Sequence, residues 1–108
     1  MSYSWQRKYD QAIADFTQAI DLNPADPQAY FQRGFIYYLL NKWDEAISEY
    51  TKAIEHSPTY APAYRERGDI YYKKRMRTQA LADYEMYLRL APFADDRATI
   101  EQLIRTLK

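Results

Sequence analysis

Cysteine is absent from the 108 residues, which excludes a disulfide scaffold, a thiol nucleophile and any cysteine-ligated zinc or iron–sulfur site. Glycine is scarce, and two in the whole chain cannot furnish the turns of a many-stranded protein or a glycine-rich phosphate loop. Neither sign of charge is in excess, since 15 Lys and Arg balance 15 Asp and Glu; no overall field holds the chain on nucleic acid or an anionic membrane. No apolar run approaches the roughly 18 residues of a membrane span. Mean hydropathy is −0.71, and the opening MSYSWQRKYD lacks the apolar stretch of a signal peptide. These absences lead us to expect a soluble, cytoplasmic chain of one small domain. Aromatic residues are what it has in plenty: 12 Tyr, 4 Phe and 2 Trp, and many of them fall at a regular interval.

That interval is the step from Pro24 to Pro58, which recurs unchanged from Pro58 to Pro92. Ala12, Ala46 and Ala80 obey it, then Phe16, Tyr50 and Tyr84, then Tyr3, Tyr37 and Tyr71. Gly34 and Gly68, Arg33 and Arg67, and Tyr30 and Tyr64 repeat the step. Inside each unit the apolar spacing is helical. Ala46, Ile47, Tyr50, Ala53 and Ile54 make one stripe; Tyr30, Gly34, Tyr37 and Tyr38 make another just upstream. Each unit is therefore two helices, and the breaks fall at known signals. Asp26 can N-cap a helix that has Pro27 at its first position, Asn41 can take a left-handed turn, and Asp44 or Thr78 can open the following helix. Pro58 and Pro92 close the second helices. The pattern predicts helices over 8–22, 28–40, 44–56, 62–74, 78–90 and 95–107. Gly34 and Gly68 lie inside two of them, where glycine costs about 1 kcal/mol relative to alanine. Close contact is the compensation expected, Gly34 against Ala46 and Gly68 against Ala80, with Tyr50 and Tyr84 filling the space beside.

These residues resemble the tetratricopeptide repeat, whose pattern is W-x2-L-G-x2-Y, then A-x3-F, then P over about 34 residues. Residues 27–60 supply Tyr30, Gly34, Tyr37, Ala46, Tyr50 and Pro58; residues 61–94 supply Tyr64, Gly68, Tyr71, Ala80, Tyr84 and Pro92. Two departures stand out: arginine (Arg33, Arg67) precedes the glycine instead of leucine, and Tyr87 replaces the alanine seen as Ala19 and Ala53. Residues 1–26 match only the back part of a repeat, and residues 95–108 suit a capping helix with a wet outer face. The resemblance implies an all-α fold, a single domain over 1–108 built as an α-solenoid of antiparallel helix pairs in a right-handed superhelix. Residues 1–7 are expected to be too short for a helix that would cover the 8–22 stripe of Tyr9, Ala12, Ile13, Phe16 and Ile20. That leaves a surface on which a second copy could dock, and a homodimer is one expectation.

Catalytic and metal constellations are weak. His56 is the only histidine, and with no cysteine or nearby partner it reads as a surface residue near a helix end. Glu45 and Glu49 have metal-ligand spacing but are expected on a solvated helix face. Arg67-Gly68-Asp69 spells an adhesion tripeptide inside a predicted helix, where it has no loop to present it. No cofactor, metal or small molecule is expected. Residues 61–94 carry seven basic and four acidic side chains, so Lys73, Lys74, Arg75 and Arg77 form a basic patch in an inter-helix turn. A role for it in binding RNA or an acidic partner is the lesser alternative.

What remains is binding by shape. The resemblance implies that the first helix of each repeat lines a concave groove for a protein or peptide partner. The groove positions would be Gln28, Phe31, Gln32, Phe35, Tyr38 and Leu39 in one repeat, and Pro62, Arg65, Glu66, Asp69, Tyr72 and Lys73 in the next, with Ser4 and Trp5 from the partial unit. Relatives that hold acidic chaperone tails use a carboxylate clamp of lysines, asparagines and an arginine. Here Gln32, Pro62 and Glu66 stand where asparagine, lysine and arginine would be needed. Trp5, Phe31, Phe35, Tyr38, Leu39 and Tyr72 instead make an aromatic strip, which points to an apolar or aromatic ligand segment.

Overall fold

The structure is a computed structural model that describes the backbone of residues 2–108 and side chains from Arg7 onward. Among the described residues there are six helices and no strand: α1 (Ser2–Leu22), α2 (Pro27–Leu39), α3 (Trp43–His56), α4 (Ala61–Lys73), α5 (Arg77–Leu90) and α6 (Arg97–Leu107). The chain divides into two compact units, Met1–Pro58 and Thr59–Lys108. In the first, α2 packs on both α1 and α3; in the second, α5 packs on both α4 and α6.

The helix boundaries follow local chemistry, with corrections. Asp26 caps α2 by accepting from the Gln28 amide at 3.0 Å, and Pro27 occupies the first turn. Asn41 takes the left-handed conformation at φ 62°, and the Lys42 amide closes the turn on the Tyr37 carbonyl at 2.9 Å. Arg75, one period later, has the same φ and the same closure, Met76 amide to Tyr71 carbonyl at 2.8 Å. A left-handed arginine costs roughly 1 kcal/mol, and its type gave no hint of this. Asp44 and Thr78 do not cap: Lys42 and Met76 hold those positions without a side-chain bond. Asp44 lies with Glu45 in the first turn of α3, where negative charge suits the helix dipole. The last helix begins at Arg97, not 95; Asp96 stands at its N-cap, but its carboxylate accepts from the Tyr87 hydroxyl and makes no capping bond.

The largest departure is α1, which runs unbroken from Ser2 through Arg7, the residue one period before Asn41. At Asn41 the helix breaks because α2 gains by folding back onto α3. From Ser2 through Arg7 the α1 hydrogen-bond ladder continues, which satisfies the backbone groups that a turn at Arg7 would leave open.

The small-residue contact is also placed differently. A Cβ on Gly34 would sit 3.0 Å from Cε1 of Tyr50 and 3.1 Å from Cβ of Glu49; on Gly68 it would meet Tyr84 at 3.0 Å and Asp83 Cβ at 3.2 Å. The glycines therefore make room for tyrosine rings, not for Ala46 and Ala80 as the spacing suggested. A tyrosine ring projects further across the helix pair than an alanine methyl does, and it reaches the facing backbone first. Tyr50, Tyr84, Ile70 and Ile100 are the largest fully buried side chains, and Ala46, Ala53 and Ala80 are buried with them.

Candidate functional site

Helical periodicity gathers Gln28, Phe31, Gln32, Phe35, Tyr38 and Leu39 on one face of α2. The Phe31 ring leans on Tyr50 with centroids 5.5 Å apart, and Phe35 lies 6.4 Å from Tyr38. These three aromatics are half-buried, while Gln28 and Leu39 are exposed. Phe31 packs across onto α3 and Phe35 beside Tyr38 on its own helix, so this face of α2 offers a partly exposed apolar row. The side chains of Ser4 and Trp5 lie outside the described residues.

In the second unit the corresponding face of α4 is polar. Arg65 ion-pairs with Asp96 at 2.7 Å and reaches Glu66 at 3.8 Å. Asp69 accepts from the Tyr84 hydroxyl at 2.6 Å. Tyr72 is half-buried, and Pro62 and Lys73 are exposed. Desolvation, with Asp69 nearby, raises the Glu66 pKa, while Arg65 and Lys73 oppose the shift. Burial first and the bond to Asp69 second push the Tyr84 phenol far above its ordinary range. Burial and the 2.6 Å bond to Asp96 push Tyr87 up to about 12. Tyr87, the residue that departs from the repeat pattern, thus ties α5 to the start of α6.

The raised Glu66 carries a sign that can be checked. Below the ordinary carboxylate pKa the group is protonated in both folded and unfolded chains, and its full stability is present. That contribution is lost as pH rises through the higher folded pKa. Glu66→Gln should therefore melt higher than the parent at pH 7 and equally at pH 3, by circular dichroism; the reverse order would remove the desolvated carboxylate from this surface.

Two ion pairs were not foreseen from the sequence. Arg33 bonds Glu49 through Nε and reaches Thr17 Oγ1 at 3.1 Å through Nη1. Arg67 grips Asp83 with two parallel bonds of 2.8 Å. Glu49 is therefore a buried partner of arginine and not part of a solvated face, a correction that follows from Gly34 bringing the α2 backbone against it. A signal for the pairs does exist in the sequence: an arginine stands before each glycine, and an acid follows at the same distance in both repeats. His56 is exposed, with its ring stacked on Tyr30 at 5.2 Å. Arg67-Gly68-Asp69 is helical, with Arg67 and Asp69 both engaged internally. Of the basic patch, Lys73, Arg75 and Arg77 are exposed and Lys74 is half-buried. Among the described residues no group of three His, Asp or Glu is placed to hold a metal, and no helix is long and apolar enough to cross a membrane.

Paired antiparallel helices that recur with one fixed period define an α-helical repeat protein. The TPR repeat model matches residues 6–41 and 36–74, and the chain belongs to the tetratricopeptide repeat family. No curated protein matches the sequence. Similar solved structures include the first TPR of Spaghetti (RPAP3) bound to the HSP90 peptide SRMEEVD. It is 29% identical, with a TM-score of 0.83 over 98% of this chain and 82% of that one. The second TPR domain of human RPAP3, in complex with the HSP70 peptide SGPTIEEVD, is 26% identical, with a TM-score of 0.80 over 96% and 87%. The Arabidopsis OM64 TPR domain is 26% identical, with a TM-score of 0.84 over 94% and 84%.

Proposed function

We propose that the chain is a non-catalytic protein-interaction scaffold of the cytoplasm, which binds an extended or helical partner segment through the first-helix faces of its repeats. The observation that carries this reading is the half-buried row Phe31, Phe35 and Tyr38 on α2, with Phe31 packed on Tyr50. Two of the similar structures hold peptides ending in EEVD, which supports peptide binding as the mode. The side chains here favour a different ligand. Gln32, Pro62 and Glu66 replace the donors a carboxylate clamp needs, and Glu66 repels an acidic tail. An apolar or aromatic segment fits the α2 face.

Peptides selected from a random display library on the intact chain provide the test. Phe31→Ala with Phe35→Ala should weaken them roughly a hundredfold, as loss of apolar hot spots does, with helicity retained. Equal loss of fold and binding would assign both rings to the core alone. Binding should also respond little to ionic strength. A steep salt dependence would favour the alternative of RNA or an acidic partner on Lys73, Lys74, Arg75 and Arg77. Concentration-dependent mass with no peptide selected would favour self-assembly.

A further inference from the structure

Two turns with the same backbone carry opposite charge. Residues 39–45 lead from α2 into α3, and residues 73–79 lead from α4 into α5 one period later. Each turn places one residue, Asn41 or Arg75, at φ 62°, and each closes with an amide on a tyrosine carbonyl, Lys42 on Tyr37 and Met76 on Tyr71. The first turn holds one lysine and two acids, net −1; the second holds Lys73, Lys74, Arg75 and Arg77 with no acid, net +4.

The first turn shows what this backbone asks of its residues. Asparagine tolerates the left-handed conformation, and Asp44 with Glu45 suits the positive end of α3. In the second turn Lys73 and Lys74 likewise suit their place, at the negative end of α4. The arginines do not. Arg75 takes the left-handed position against its own preference, and Arg77 opens α5, whose first turn has no acid to complement the helix dipole. Folding thus accounts for the lysines and leaves two exposed arginines that oppose it.

Four cations within five residues, three of them exposed, make a compact positive patch on a chain of zero net charge. Compactness selects the partner. Nucleic acid is held by charge spread along several phosphates and by aromatic faces on which bases stack. Here the charge is confined to one turn, and the ring of nearby Tyr71 lies against Arg67. A run of adjacent carboxylates matches the patch in size, since an extended chain rises about 3.3 Å per residue and roughly four acids cover one turn.

We propose that the α4–α5 turn is a second docking site, which takes a short Asp/Glu-rich segment of a partner protein with carboxylates in the guanidinium forks of Arg75 and Arg77. Lys73 also acts on Glu66, so the two arginines carry the selectivity. The site belongs to the second unit and uses none of the α2 row, so either can fail without the other.

The probe is a short fluorescent peptide of alternating Glu and Asp, titrated into the intact chain by anisotropy at low salt, beside the same peptide made of Gln and Asn. The acidic peptide should bind saturably and weaken steeply as salt is raised, and the amide peptide should not bind. The decisive variant gives the second turn the residues of the first: Arg75→Asn, Thr78→Asp and Gln79→Glu. It should melt no lower than the parent, because each change suits its backbone position, and should bind the acidic peptide roughly tenfold more weakly. Arg77→Gln alone should cost roughly threefold. Phe31→Ala with Phe35→Ala should leave this binding unchanged, which separates the site from the α2 row. Equal binding by the parent and the turn variant would overturn the proposal, as would equal binding of the two peptides. Single-stranded RNA or phosphatidylserine vesicles that bind more tightly than the peptide, and are released by the turn variant, would give the patch to that partner and overturn it. A mass that grows with concentration and is reduced by the turn variant would give it to the acids of a second copy, with the same result.

Discussion

Gly68→Leu should lower stability by about 3 kcal/mol, the upper part of the range for overpacking a close contact, and the melting temperature by roughly 10 °C or more. Even a methyl group at this position would lie 3.0 Å from Tyr84 Cε1 and 3.2 Å from Asp83 Cβ. Neither neighbour can yield. The Tyr84 ring is fully buried and its hydroxyl is fixed on Asp69 at 2.6 Å, while Asp83 is held by both bonds from Arg67. Leucine must therefore pry α4 from α5. Gly68→Ala should cost far less, since its helix propensity returns about 1 kcal/mol against a smaller clash. Urea denaturation distinguishes the outcomes; an unchanged midpoint for Gly68→Leu would mean that α4 and α5 do not approach at this residue.

Asp83→Leu should cost about 3 kcal/mol, and Arg67→Leu with Asp83→Leu should recover most of that loss. The Asp83 side chain is 6% exposed and that of Arg67 17%, so removing the acid strands a mostly buried guanidinium. Burial by itself would lower the Arg67 pKa, yet the bonds and charge of Asp83, with Tyr71 and Tyr64 nearby, more than offset it. Tyr64 and Tyr71, each with its ring 5.8 Å from the guanidinium, offer partial compensation that keeps the cost at the low end. The double change removes both charges and leaves a leucine at the position where the repeat pattern has one. A double-mutant cycle in urea measures the coupling. Additive losses would show that the two side chains stabilise the fold separately.

Which features could be read in advance follows from the range of the forces that set them. The interior limits of α2 to α5 come from short-range chemistry: Pro27, Pro58 and Pro92 restrict their own neighbourhoods, Asp26 caps through a bond to Gln28, and Asn41 tolerates a left-handed turn. The fixed period then multiplies each weak signal, because an error in one repeat is corrected by the other. The face of α2 that holds Phe31, Phe35 and Tyr38 was likewise legible, since periodicity alone decides which residues share a side of a helix.

Other features depend on what lies across the pair. Arg33 and Glu49 are ordinary surface types in sequence; only the approach of α2 to α3 at Gly34 removes water from both and makes them partners. Arg75 is left-handed because the α4–α5 turn must close there, against the preference of its own side chain. Tyr87 departs from the repeat pattern, and its hydroxyl reaches across to Asp96 at the start of α6. Arg7 remains helical where Asn41 turns, although the two occupy the same place in the period. By itself the sequence determined the all-helical repeat, its period and the facing of each helix, because those rest on local backbone chemistry and periodicity. The tertiary structure alone decided which charges are buried and which residues the glycines meet, because each of these is a balance of desolvation and packing that exists only once a second helix is in place.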